Sequence, residues 1–258
     1  MENKIIYTIG YTLFQNGNNI SIDALFSILN KYNVDFLVDV RSVPYSKQYP
    51  ECTADNLKFA GQQFGIRYIH MPEVGAKTSP QRDVFSKAID IFYEDIFPIP
   101  KSNRPEHTAL MSHEEIVDFN KFRNDKFFND GLNRIETAYK KNFTLALMCS
   151  EKNPIECHRY FLISKALEHK NGEWLEIRHI VKNSKGDICT ITNSELDAQL
   201  KETVFKRKEI INLSMLSASL IDPEYKIEKY YGETLQEKII DFCDRYWNLM
   251  HGWKRNLF

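Results

Sequence analysis

Across the first 71 residues, short β-rich apolar runs alternate strictly with stretches of helical period, and this constrains the fold more than any other feature. Lys4 to Ile9 is a β-rich run broken by Gly10, and Ser21 then precedes Ile22, Leu25, Phe26 and Leu29, whose spacing is that of one helix face. Ser21 suits an N-cap because its hydroxyl can accept from a free backbone N–H of the first turn. Phe36 to Val40 is a compact apolar run of the kind a buried parallel strand shows. After a loop from Arg41 to Glu51 that holds Pro44 and Pro50, Thr53 can cap a helix to Phe64, which Gly65 would end. Ile66 to Met71 reads as a third strand. A β-α-β-α-β order demands a parallel sheet with crossover connections, because consecutive parallel strands cannot be joined by tight turns.

The rest of the chain extends the same plan. Five of the nine prolines fall between Pro72 and Pro105, so residues 77–110 read as an irregular excursion or lid, with a helix near Val84 to Tyr93. Ser112 and Glu115 form a capping box that opens another helix. A further helix is expected over Phe127 to Lys140, and a strand over Phe143 to Met148. Asn153, Pro154 and Glu156 supply an N-cap, a proline at the first helical position and an acid in the first turn. They predict a helix running to about His169. Trp174 to Val181 reads as another strand. The fold class expected is therefore α/β: a Rossmann-like three-layer domain over residues 1–181 with a mainly parallel sheet. A mostly helical C-terminal extension, 182–258, would pack on it, including a helix from Leu235 to Met250.

In an open parallel sheet, ligands bind beyond the carboxyl ends of the strands. Three polar segments fall there: Gly10 and Tyr11 after the first strand, Asp39 to Lys47 after the second, and Cys149 to Arg159 after the later strand. Asp39, Cys149, Glu151 and His158 are the candidate catalytic groups. Gly10, Tyr11, Arg41, Ser42, Ser46, Lys47, Glu73, Arg159 and His179 are the candidate contacts to substrate or anion. Cys149 would face a helix N-terminus with Lys152 and Arg159 nearby, an environment that favours thiolate; the alternative is packing at the strand end. Glu151 suits acid–base work if desolvated. His158 either shuttles a proton or caps a buried hydrogen-bond network. Arg159 either grips an anion in bidentate fashion or pairs with Asp39 across the rim, and Asp39 and Arg41 can equally bind each other. His179 reads either as a satisfied strand histidine or as part of the site. Cys157, three and four residues before Tyr160 and Phe161, reads as a core thiol. The seven residues between Cys149 and Cys157 match no usual zinc spacing, and neighbouring helical residues such as Cys157 and His158 point about 100° apart. The spacing therefore assigns no metal.

Taken together, the segments Tyr7 to Tyr11, Val38 to Ser46, Tyr68 to Gly75, Ala146 to Glu151 with Cys157-His158-Arg159, and Arg178 to Ile180 resemble the DUF488 family, a domain of unknown function. The resemblance spans roughly residues 4 to 180. It implies a Rossmann-like α/β domain with these motifs gathered at one pocket, and work on nucleic acid or in DNA modification. It names no reaction. The chain departs from the family pattern at Ala76, where a second glycine is usual, in its longer excursion, and in the residues after about 181.

Composition narrows the functional classes. The 34 basic and 35 acidic residues give a net charge of −1, so broad charge-driven binding to nucleic acid or anionic membrane is not expected and any basic surface is local. Five scattered cysteines, no signal-like N-terminus and no apolar run long enough for a bilayer point to a cytoplasmic chain with reduced thiols. The function expected is that of an enzyme acting on a nucleotide, nucleic acid or other anionic small molecule, with no cofactor clearly implied. One alternative is a non-catalytic nucleic-acid-binding module using the tail from Tyr246 and Trp247 to Trp253 and Arg255. Another is sulfur transfer through Cys149.

Overall fold

In the computed structural model the described residues are 5–75, 123–171 and 175–199. They form a six-stranded sheet in the order β5-β4-β6-β1-β7-β8. The strands are β1 (Ile5–Gly10), β4 (Phe36–Asp39), β5 (Arg67–His70), β6 (Leu145–Cys149), β7 (Glu176–Lys182) and β8 (Ile188–Thr192). Two short strands, β2 (Gln15–Asn16) and β3 (Asn19–Ile20), make a separate antiparallel hairpin. All pairings in the large sheet are parallel except β7 with β8. The α/β fold with a mainly parallel sheet is as the alternation predicts. The sheet, however, runs past residue 181: β8 adds an antiparallel edge that the polar composition after Lys182 concealed.

Helix α1 (Ile22–Lys31) begins at Ser21, whose hydroxyl accepts from the Ala24 amide at 3.3 Å. Helix α2 (Ala54–Phe64) starts at Thr53 but without a side-chain capping bond, and ends where Gly65 takes a left-handed φ of 72°. Both helices pack on one face of the sheet: Leu25, Phe26 and Leu57 join Ile9, Leu37 and Met148 in one buried cluster. Helix α3 (Lys126–Lys140) is capped by Asp125, which accepts from the Phe128 amide at 3.0 Å, and helix α4 (Lys165–Asn171) follows β6. A cavity of about 380 Å³ lies between α3 and the opposite sheet face, lined by Phe36, Val38, Ile69, Ile135 and Leu145 among others. Its described lining residues include none of the polar groups at the strand ends.

The chain divides into two units, Met1–Ala76 with Phe122–Asn193, and Lys77–Lys121 with Ser194–Phe258. The sheet belongs to the first, and residues 194–199, which are helical, are the described part of the second. The excursion at 77–110, the capping box at Ser112, the helix from Leu235 and the aromatic-basic tail lie outside the described residues. Among the described residues no helix is long and apolar enough to cross a membrane.

Candidate functional site

Three neighbouring strands end together. Parallel register sets Gly10 of β1 beside Cys149 of β6, and Asp39 of β4 beside Met148. The chain leaving β6 folds back over these ends, tied to the first strand's exit by the Thr12 amide and hydroxyl, which donate to the Ser150 carbonyl at 3.3 and 2.6 Å. A Cβ on residue 10 would collide with the Glu151 carbonyl and come within 3.2 Å of Arg159 Nη1. Glycine there is what lets the loop close over the sheet.

The expected continuous helix from Asn153 is interrupted. Asn153 does cap, its Oδ1 accepting from the Ile155 amide at 3.3 Å, but only a 3-10 turn, Pro154–Glu156, follows. At Cys157 the backbone is extended, with φ −138° and ψ 142°. A π-helical segment, Arg159–Ser164, comes next, in which Ser164 Oγ donates to the Arg159 carbonyl at 2.7 Å. Such wide turns concentrate at functional positions. The break overturns the helical geometry assumed for Cys157 and His158. Cys157 is buried, as a core thiol would be, yet its sulfur is bonded to that of Cys149 as a disulfide, which corrects the expectation of reduced thiols at these two positions. His158 Nδ1 lies 3.7 Å from Cys157 Sγ.

Around this pair the segment assembles its polar groups. Cys149 Sγ lies 2.6 Å from Glu151 Oε2, and Arg159 Nη1 donates to the same sulfur at 3.1 Å. Arg159 is wholly buried and is steadied by the Glu151 and Lys152 carbonyls, at 2.7 and 3.3 Å. His158 Nε2 donates to the Val40 carbonyl at 2.9 Å, which joins the segment to the end of β4. Burial holds the His158 imidazole below its ordinary pKa, so it is the neutral form that sits there.

Arg159 does not pair with Asp39. Asp39 is taken by Arg41, with Nε at 2.8 Å from Oδ1 and Nη2 at 2.5 Å from Oδ2, and by the Tyr68 hydroxyl at 2.7 Å. Arg41 Nη2 also donates to the Cys52 carbonyl at 2.9 Å. Burial works against the charge on Arg41, and the Asp39 carboxylate outweighs it, so the guanidinium stays firmly protonated. Tyr68 is held neutral, first by burial and then by Asp39. Tyr11 is buried under Arg41, its ring centroid 5.3 Å from the guanidinium. Ser46 accepts from the Tyr49 amide at 3.0 Å, while Ser42 backs onto Gly75 and Lys47 is exposed.

Two residues named from sequence sit elsewhere. Glu73 is buried beside α3 and paired with Arg134. His179 is fully buried within the sheet, bridging Thr8 Oγ1 at 2.7 Å and Asn193 Oδ1 at 2.6 Å, and burial lowers its pKa to about 3. Sequence reasoning missed Tyr68, although β4 and β5 pair in register through Leu37 and Tyr68, which sets its phenol near the Asp39 end. It also missed the pairing of Cys157 with Cys149, which no local spacing signals.

The family model described as "Domain of unknown function DUF488" matches residues 21–98 and 100–166, more than half of the chain. The chain belongs to the DUF488 family. The DUF488 match takes in Asp39, Arg41, Glu73 and the whole segment from Cys149 to Arg159. It also runs through most of the 77–110 excursion, which therefore lies within the family's own span. The Tyr7 to Tyr11 and Arg178 to Ile180 motifs fall outside the DUF488 match. No curated protein and no solved structure matches the chain.

Proposed function

We propose that this DUF488 chain is an enzyme acting on a nucleotide, nucleic acid or other anionic substrate at the carboxyl ends of β1, β6 and β4. The observation that carries the reading is the convergence of Cys149, Glu151, His158 and Arg159 over three adjacent strand ends, with the Glu151 carboxylate 2.6 Å from a sulfur. Glu151 is only half-buried, so a substrate can reach it, and its position suits proton transfer. Arg41 favours an anionic substrate. Its Nη1 is buried and makes no hydrogen bond among the described residues, while Lys47 and Lys152 nearby in the motifs are exposed. A charge fixed by Asp39 with one donor left over suits a phosphate better than a neutral group.

Thiol or sulfur-transfer chemistry is the second reading, favoured by the Arg159 guanidinium on Cys149 Sγ, a cation beside the sulfur that reduction of the bond to Cys157 would free. A panel of nucleotides and of single- and double-stranded oligonucleotides should show turnover by the wild-type chain. Glu151→Gln should lower kcat by about 10²–10⁴-fold while substrate affinity is kept. Turnover undiminished in Glu151→Gln would remove Glu151 from the reaction, and binding without turnover across the panel would overturn the enzyme reading in favour of a binding module.

A further inference from the structure

We infer that Cys149, Cys157 and His158 form a zinc site with three protein ligands and a fourth position open toward Glu151. Their donor atoms lie within 4.8 Å of one another and all three residues are buried. Soft thiolates with one imidazole suit zinc, and three protein ligands leave room for water or substrate. The His158 Nε2 proton is committed to the Val40 carbonyl, so the nitrogen turned toward the thiols is Nδ1, with its lone pair. A backbone acceptor on the far nitrogen is the usual way a ligating imidazole is oriented. The Nδ1 to Cys157 Sγ distance of 3.7 Å agrees with the roughly 3.6 Å that tetrahedral zinc sets between a sulfur and a nitrogen ligand.

The backbone favours a shared ion over a covalent bridge. The Cα atoms of Cys149 and Cys157 are 7.6 Å apart, beyond the roughly 4.4–6.8 Å that disulfides span. The site is that of the reduced chain, in which a thiol reductant has cleaved the Cys149–Cys157 bond to two thiolates; two sulfurs on one tetrahedral ion then stand about 3.8 Å apart, a spacing the wide backbone separation leaves room for.

Charge points the same way. Two thiolates offset a divalent ion, and Arg159, hydrogen-bonded to Cys149 Sγ, offsets Glu151, so the cluster is neutral overall with the metal bound. Buried groups of this kind need such compensation. Glu151 sits where it can hold water on the open position, an arrangement that would serve hydrolysis of the substrate class proposed above. Zinc binding itself does not rest on that reading.

The test is metal analysis of the full-length chain purified without chelator. About one zinc per chain is expected, falling toward zero in Cys149→Ser, Cys157→Ser and His158→Gln and retained in Glu151→Gln. Because a ligand variant can fail to fold, Co²⁺ is also exchanged into the wild-type protein. Thiolate-to-cobalt charge transfer with tetrahedral visible bands is expected. A folded wild-type chain without zinc that gives no such bands, or one whose Cys149 and Cys157 are recovered joined as a disulfide, overturns the site. Zinc present with no turnover by the wild-type chain across the panel removes the enzyme reading alone; no zinc with turnover lost in Glu151→Gln removes the metal alone.

Discussion

Gly10 and Asp39 carry more of the site than their small side chains suggest. Any Cβ at residue 10 meets the Glu151 carbonyl, so Gly10→Ala must push the loop off the strand ends. A loss of about 1–3 kcal/mol in urea unfolding is expected, together with displacement of Cys149 from Arg159. An unchanged unfolding midpoint would show that the loop closes some other way. Asp39 neutralises a guanidinium that has little other support: side-chain exposure is 8% for Arg41 and 0% for Asp39. Asp39→Ala leaves that charge buried alone and should cost about 3–5 kcal/mol, measured by the same unfolding titration. Both candidate roles of Asp39, catalyst and ion-pair partner, were legible in its position after a strand. Which arginine would pair with it was not legible, because that depends on where Arg159 points, and Arg159 turns to the Cys149 loop and leaves Asp39 to Arg41.

At the scale of elements, the alternation of period read the sheet well because the interior strands β1, β4 and β6 are apolar and buried with neighbours on both sides, and each early helix has one apolar face. Ser21 behaves as its residue type predicts, and Ser21→Ala should lower stability by about 1 kcal/mol through loss of its bond to the Ala24 amide. No change in thermal unfolding would mean that solvent caps α1 as well. The strand β8 was not legible, because an edge strand with half-exposed residues lacks the apolar run that marks β4 or β6. The helix after Asn153 misled for a different reason. The capping signals there are genuine, but they set only the first turn, and the extended backbone at Cys157 is imposed by contacts distant in sequence, with Val40 and Cys149.

For the molecule as a whole, the buried histidine of β7 sets a dependence on acid. His179 has a folded pKa of about 3 against an ordinary value of 6.5; burial is the main cause, the Asn193 bond opposes it, and Arg159 and Lys165 reinforce it. The folded state therefore refuses a proton that the unfolded chain accepts. Stability is complete above pH 6.5 and falls as pH drops from 6.5 toward 3, by about 1.4 kcal/mol per pH unit from this group. His179→Gln should be less stable at neutral pH but show a slope shallower by about that amount; an identical slope would mean that His179 accepts the proton while folded. The seclusion of Cys149, 1% exposed at the end of an interior strand, has a kinetic corollary. A bulky alkylating reagent reaches that sulfur only when the segment after β6 lifts. With the bond to Cys157 reduced and any bound metal stripped, the rate of labelling should level off as reagent is raised, because the chain's own opening then becomes the slow step. The plateau would time the motion that admits anything to the strand ends.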